Sequence, residues 1–371
     1  MKILYVTIFV VWFSLGCAQD AERQHQPSAY NQNSINIEFD NYSDKASDLA
    51  KYLPSGYIKD GSIDYTRYLQ QGIDENAIVS MPDFPVLIND RGLRLRSNSV
   101  ILFNKNSSLK LIPSKKDTYN ILEVHRIKNV KIFFPKIEGD ILTHLGKAGE
   151  WGMGIGIRSS KNIQIYNPEI TNCWGDGVYV GVIWDKVNGR IYDESESIGI
   201  YNGYFNNNGR NGISIVGVKG MKVYNNLIAN TRRVFPKSGI DIEPGPKLTQ
   251  EIVLMNNVTY KNGARGIDIF LRKIAKGKEN TTSAKIINHK DIGSPIGIRI
   301  AGYKSNKRMN TVKGNIEVIS PNLTGNRLKA IEIERDQRFA PIITIKDVKH
   351  VEGFDYTLKG VNSKKQIRVI Q

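Results

Sequence analysis

The chain has 371 residues, 40% of them hydrophobic, and carries 52 Lys and Arg against 36 Asp and Glu, a net charge of +16. That apolar content excludes a disordered chain and is enough for one large domain or two ordinary ones. The charge favours polyanionic partners: nucleic acid, an anionic membrane or an acidic polysaccharide.

The N-terminus narrows that choice. MKILYVTIFVVWFSLGCAQD places Lys2 before an apolar run over residues 3–15, too short to span a bilayer and shaped like a secretory signal. Ser14-Leu15-Gly16-Cys17 resembles a bacterial lipobox. Residues 1–17 are therefore expected to be a signal peptide of the lipoprotein type, with lipidation at Cys17; plain secretion with cleavage after Ala18 is the alternative. Either route exports the protein to the cell envelope or beyond, argues against a nucleic-acid partner and limits membrane contact to a lipid anchor. Cys173, the other cysteine, then has no disulfide partner and reads as a small buried residue.

Residues 18–40, opening AQDAERQHQPSAYNQNSIN, are polar and rich in Gln and Asn and read as a tether. Residues 41–76 read as an N-terminal cap. A short helical patch over 43–52 precedes DGSIDYTRYLQQGIDEN (60–76), in which Asp60 or Ser62 can cap a helix with Tyr65, Leu69 and Ile73 on one face.

From 77 to 371 the helical period gives way to a repeat. Gly, Ile/Val, any residue, Ile/Val occurs as GIGI (154–157), GVYV (177–180), GISI (212–215), GIDI (239–242), GIDI (266–269) and GIRI (297–300), with AIEI at 330–333. The uneven spacing suits a solenoid with insertions at its turns better than a propeller. A second register, apolar residue, any residue, Asn, ends at Asn167, Asn202, Asn225, Asn256 and Asn288, with Ser320 and Asp347 in the last two slots. An Asn recurring once per coil can stack as a hydrogen-bonded ladder at a tight turn. Short strands with alternating β-branched residues, stacked coil on coil, predict an all-β fold: a right-handed parallel β-helix whose N-terminal end is covered by the 60–76 helix. A monomer is expected.

The segments DGSIDYTRYLQQGID, GEWGMGIGIRSSKNIQIYNPEITNCWGDGVYVG (149–181), NGISIVGVKGMKVYNN (211–226), SGIDIEPG and RGIDIF resemble the pectin-lyase-like β-helix superfamily, over roughly residues 60–350. That superfamily includes pectate lyases, polygalacturonases, alginate epimerases and virus tailspikes, so the resemblance implies work on polysaccharide. The polygalacturonase motifs Asn-Thr-Asp, Gly-Asp-Asp, Gly-His-Gly and Arg-Ile-Lys do not occur as such; Gly175-Asp176-Gly177 is a partial echo.

Alternation supplies the candidate site. If Ile240 and Ile242 face the core, Asp241 and Glu243 face out, about 6.6 Å apart along the strand. The equivalent slot one coil later is Asp268, about 4.8 Å away. The outward column reads Gly156, Tyr179, Ser214, Asp241, Asp268, Arg299, Glu332. Stacked Asp241 and Asp268 repel unless one holds a proton or a base such as Arg265, Arg299 or Lys237 neutralises them, and a retained proton is a route to a general acid. Asp241 with Asp268 approaches the spacing of a retaining glycosidase and Asp241 with Glu243 that of an inverting one. No cofactor or metal is expected; a calcium ion on the same three carboxylates is the alternative.

A second cluster, in HLGKAGEWG (144–152) and CWGDGVYVGVIW (173–184), holds His144, Glu150, Trp151, Trp174, Asp176, Tyr179 and Trp184. Aromatic faces stack on sugar rings and acids bind their hydroxyls. Asp176 is the acid candidate here, with His144, Trp151, Trp174 and Tyr179 as substrate contacts. Arg210, Arg232, Arg233, Lys237 and Arg265 flank the same strands and suit a uronate carboxylate or a sulfate. The expectation is an exported carbohydrate-active enzyme cleaving an acidic polysaccharide, with glycoside hydrolysis favoured, lyase or uronate C5-epimerase chemistry as the alternative, and a non-catalytic glycan-binding module as the reading from a different class.

Overall fold

A computed structural model describes residues 21–371 apart from 246, 277–279, 304–309, 335–337, 349, 352–366 and 371. The expected signal peptide and Cys17 lie outside the described residues.

Three parallel sheets wrap one core. The first has twelve strands, the second ten and the third nine, each strand pairing with the equivalent strand of the next coil. One coil runs through Glu169–Thr171 in the second sheet, Val178–Gly181 in the third and Ser195–Tyr201 in the first, then turns into Tyr204–Asn206 of the second again. An antiparallel hairpin, Trp184–Asp185 with Arg190–Ile191, stands out from the loop between the third and first sheets.

The Gly-Ile-x-Ile repeats are the third sheet. Their isoleucines and valines point inward: Ile213, Ile215, Ile240 and Ile242 are fully buried, and each packs in register on its counterpart one coil away. The leading glycine answers a close approach at the corner where each strand begins. A Cβ at Gly212 would lie 2.8 Å from the Gly239 carbonyl oxygen, and one at Gly239 2.7 Å from that of Gly266. Any larger residue would push the coils apart.

The asparagines of the second register sit at the corner between the first and second sheets. Asn167, Asn202, Asn225, Asn256 and Asn288 all have φ between 49° and 58°, and Ser320 and Asp347 follow them at 49° and 51°. The left-handed region explains the choice of residue, because Asn tolerates it better than branched or bulky side chains. The expected side-chain ladder is only partly made by these residues, as between Asn288 Nδ2 and Asn256 Oδ1 at 3.1 Å. A buried ladder runs one position later: the Asn226 amide donates to Asn257 Oδ1 at 2.9 Å, and Gly203 N donates to Asn226 Oδ1 at 2.7 Å.

The cap is shorter than expected. Helix α2, Thr66–Glu75, buries Leu69 and Ile73, and Tyr65 just before it is buried as well. Asp64 Oδ1 accepts from the Thr66 amide at 2.9 Å, so Asp64 rather than Asp60 or Ser62 sets the start; Asp60 accepts from Ser62 N in the preceding turn. The helical patch expected over 43–52 is the 3-10 turn Leu49–Tyr52.

The segment expected as a tether is fixed to the solenoid from residue 21 onward. Tyr204 donates to Glu22 at 2.9 Å and Arg23 lies 3.8 Å over its ring. The chain then crosses the Asn corner, where Asn225 donates to the Ser28 carbonyl at 2.7 Å and Tyr30 N donates to Asn202 Oδ1 at 2.6 Å. Helix α1, Gln32–Ser43, follows on the outward face of the first sheet, where Ile35 and Phe39 join Leu102 and Phe133. Composition misled here: polar side chains need no apolar core when the corner already offers a row of amides and carbonyls. The Ile35, Phe39, Tyr42 spacing of four and three was the helical signal in the sequence.

Candidate active site

The outward column holds as expected. Tyr179 lies beside Gly156, Ser214 beside Tyr179, Asp241 beside Ser214, Asp268 beside Asp241, Arg299 beside Asp268 and Glu332 beside Arg299. A cavity of about 410 Å³ opens over this column. Asp241, Glu243, Asp268 and Arg299 line it, Trp151, Phe235 and Phe270 wall it, and Glu150, Arg210, Arg265 and Lys273 complete the lining.

Its charges are ordered. Arg299 grips Asp268 as a fork, Nε to Oδ1 at 2.8 Å and Nη2 to Oδ2 at 2.9 Å, and Arg265 approaches Oδ2 at 3.4 Å. Arg210 is the other hub. It reaches Asp176 at 3.0 Å, Glu150 at 3.5 Å and Glu243 at 3.8 Å, and lies 5.3 Å over the Trp151 ring. Burial opposes its charge, and Asp176, Asp241, Glu150 and Glu243 outweigh that cost and keep it protonated. Glu243 also meets Lys273 at 3.2 Å.

Asp241 is different. It is almost completely buried, and its recorded donor is the Asn211 amide at 3.2 Å. Burial first and the Asp268 carboxylate second hold its carboxyl well above the usual carboxylate range, against the pull of Arg210. Asp268 is also raised by burial, with Arg299 opposing. The two titrate as a pair. The fork on Asp268 favours the charged form there.

Other expected site residues lie elsewhere. Asp176 is sealed beneath the cavity, where Arg210 and the Asn211 amide bind it; burial raises its carboxyl and Arg210 opposes the rise. It holds Arg210 in place and has no surface for a substrate. His144 and Trp174 do not face the cavity. The His144 ring stacks on Trp174 at 3.9 Å and its Nδ1 lies 2.7 Å from Asp140, while Arg233 covers the far side of Trp174 at 3.5 Å and donates to its carbonyl oxygen. This sandwich packs the loop around 144–151 against the coil, so both residues are corrected from substrate contacts to packing. Lys237 sits at the rim with its ammonium 4.7 Å from the Phe235 ring. Trp151 and Arg265 do line the cavity; Tyr179 lies in the column two strands away, edge-on to Trp151 at 6.1 Å. Cys173 is buried and free.

Sequence reading missed Phe235, Phe270 and Lys273 and treated Arg299 only as a neutralising charge. Phe270 directly follows a GIDI repeat and Arg299 occupies the outward slot, so both were within reach of the register; Phe235 belongs to a loop with no period. Among the described residues, no group of three or more His, Cys, Asp or Glu side chains is arranged to hold a metal ion. The expected calcium ligands Asp241, Glu243 and Asp268 are instead interleaved with Arg210, Arg265, Arg299 and Lys273.

The comparisons follow the architecture. No family profile matches the chain. Bacteriophage phi29 gene product 12 superposes with a TM-score of 0.57 at 15% identity, over 87% of this chain and 48% of its own. The mannuronan C-5 epimerase AlgE6 A-module of Azotobacter vinelandii gives 0.55 at 15% identity, over 87% of this chain and 97% of its own. The chain has a parallel β-helix fold. The surface adhesin PfbA of Streptococcus pneumoniae shares this β-helix with a TM-score of 0.52 at 13% identity, over 81% of this chain and 85% of its own. In sequence, two Bacillus subtilis proteins match 41% of the β-helix chain: SPbeta prophage-derived uncharacterized protein YorA at 28% identity and uncharacterized protein YclG at 32%. The matched stretch spans 28% and 27% of those relatives' lengths.

Proposed function

We propose that this β-helix is an exported glycoside hydrolase acting on an acidic polysaccharide, with Asp241 as the general acid. One observation carries the reading: the buried Asp241 carboxyl, raised by burial and by its neighbour, stands beside a carboxylate fixed by an arginine fork, lining a cavity with aromatic walls. A raised pKa keeps an acid protonated near neutrality, where it can protonate a leaving glycosidic oxygen. Asp268 spends both oxygens on Arg299, which makes it a poor nucleophile and a good electrostatic anchor. Glu243, two residues along the strand from Asp241 and about 6.6 Å away, retains partial exposure and suits the base that activates water. That separation lies in the inverting range. Trp151, Phe235 and Phe270 supply faces for sugar rings.

A second reading, uronate C5-epimerisation or β-elimination, is favoured by the guanidiniums and ammonium crowding the same cavity, which can neutralise a uronate carboxylate while its α-proton is removed. The AlgE6 A-module, of like fold, is named as a mannuronan C-5 epimerase. Incubation with a panel of uronate-containing polysaccharides separates these outcomes. Hydrolysis yields shorter chains that have gained the elements of water, elimination yields chains with an ultraviolet-absorbing double bond, and epimerisation yields neither but changes uronate composition. Binding without any of these changes would mark a glycan-binding module.

A further inference from the structure

The guanidiniums around the cavity are spoken for by carboxylates: Arg210 by Asp176, Arg265 and Arg299 by Asp268. Arg158 is not. It ends the third-sheet strand Trp151–Arg158, on the outward face of the same sheet. Its Nη1 donates to Asn120 Oδ1 at 3.1 Å and to His125 Nε2 at 3.0 Å. The nearby acid, Glu123, meets His125 Nδ1 at 3.4 Å rather than the guanidinium. Burial and the neighbouring guanidinium hold His125 far below its ordinary range, at about 3, so it is a neutral ring that accepts a hydrogen bond from Arg158 and offers no counter-charge. Nε and Nη2 of Arg158 have no hydrogen bond among the described residues, and the side chain is half-buried, with burial opposing its charge. They form the edge of a guanidinium that matches two oxygens of one anion.

An aromatic pair links that guanidinium to the cavity. The guanidinium carbon lies 4.5 Å over the Tyr179 ring, and Trp151 stands edge-on to Tyr179 at 6.1 Å while lining the cavity at Asp241. Gly156, in the column beneath, keeps the floor flat: a Cβ there would lie 2.0 Å from Asn120 Oδ1 and 2.8 Å from Arg158 Nη1. The Arg158 strand and the Asp241 strand are three steps apart in the stack, roughly 14 Å, with Tyr179 and Ser214 between them.

We propose that Arg158 is an anion subsite: its open Nε–Nη2 edge binds the carboxylate, or the sulfate, of a sugar unit several positions along the chain from the unit at Asp241. The inference rests on the reading of the groove as a polysaccharide site. It adds that the substrate is charged beyond the cleaved position and that it lies along the stack toward the N-terminal coils.

The test measures affinity, not turnover, on the mature protein with Arg158→Ala and Arg158→Lys. The probes are polygalacturonate, alginate, carboxyl-reduced polygalacturonate and dextran sulfate, followed by affinity electrophoresis and calorimetry. Arg158→Ala should weaken binding of the anionic chains by about 10- to 100-fold, the range for a charge-assisted bidentate contact, and leave the carboxyl-reduced chain unaffected. Arg158→Lys, which keeps charge and stem, should recover only part and serves as the readout if the alanine variant does not fold. Dependence on Arg158 confined to uronates identifies carboxylate as the anion; dependence confined to dextran sulfate identifies sulfate. Unchanged affinity, an equal loss on the neutral chain, or no binding of any charged probe overturns the proposal. Arg158-dependent binding without turnover would sink the hydrolase and leave the subsite standing; turnover indifferent to Arg158 would do the reverse.

Discussion

Asp241 and Asp291 are both carboxyls cut off from bulk water, one on the outward face of the third sheet and one on the inward face of the second. Burial raises both, Asp291 to about 6. Their partners differ. Asp291 accepts from Thr259 Oγ1 at 2.6 Å and Ser294 Oγ at 2.7 Å, with the Asn326 amide on its other oxygen, and no guanidinium bonds it among the described residues. Asp241 faces a second carboxyl, the Arg210 guanidinium and a cavity. The contrast teaches that a raised pKa marks burial, and that only access and a charged counterpart make the proton available for chemistry.

The largest test of that contrast is paired substitution. Asp241→Asn should lower turnover by about 10²- to 10⁴-fold, the usual worth of a positioned acid, while Asp291→Asn leaves it within a few-fold; initial rates on whichever polysaccharide is cleaved decide it. Equal losses would break the distinction. Arg299→Ala should destabilise the fold by about 3–5 kcal/mol in urea unfolding, because it strands the buried Asp268 charge. Asp268→Asn in that background should recover much of the loss.

The pH dependence of stability is the next test. A carboxyl raised in the folded state binds more protons there than in the unfolded chain, so its contribution is fully present below the unfolded pKa, about 4, and is lost as pH rises through the folded value. For Asp291 that window runs from about pH 4 to about 6 and spans about 3 kcal/mol. Asp291→Asn should lack that slope, so that it appears in the difference between wild-type and variant unfolding free energies. The smallest effect is expected at Tyr30, whose ring stacks on Tyr201 at 5.6 Å and meets Tyr224 edge-on at 5.3 Å: Tyr30→Ala, which keeps the backbone bond to Asn202, should cost about 1–3 kcal/mol without changing glycan affinity, since its face is remote from the cavity.

Much of this was legible in the chain. The Gly-Ile-x-Ile spacing gave the third sheet, its inward isoleucines and the register that sets Asp241 beside Asp268. The recurrent Asn gave the left-handed corner. His144 and Trp174 were misread because aromatic and imidazole side chains near a glycine-rich turn look alike whether they stack on a sugar or on each other. The clasp of residues 21–43 was misread because its hydrogen-bond partners in the solenoid lie 93 to 197 residues away.

Sequence alone determined what repeats: a two-residue alternation assigns each side chain to core or surface, and a fixed step between coils assigns its neighbour. Tertiary structure alone decided what the loops and corners do. It placed Phe235 and Lys273 on the cavity wall, gave the fork on Asp268 to Arg299, left Arg158 without a carboxylate and buried Asp176 beneath Arg210. Those outcomes depend on how long side chains share a few charges across coils, and no period in the chain encodes that division.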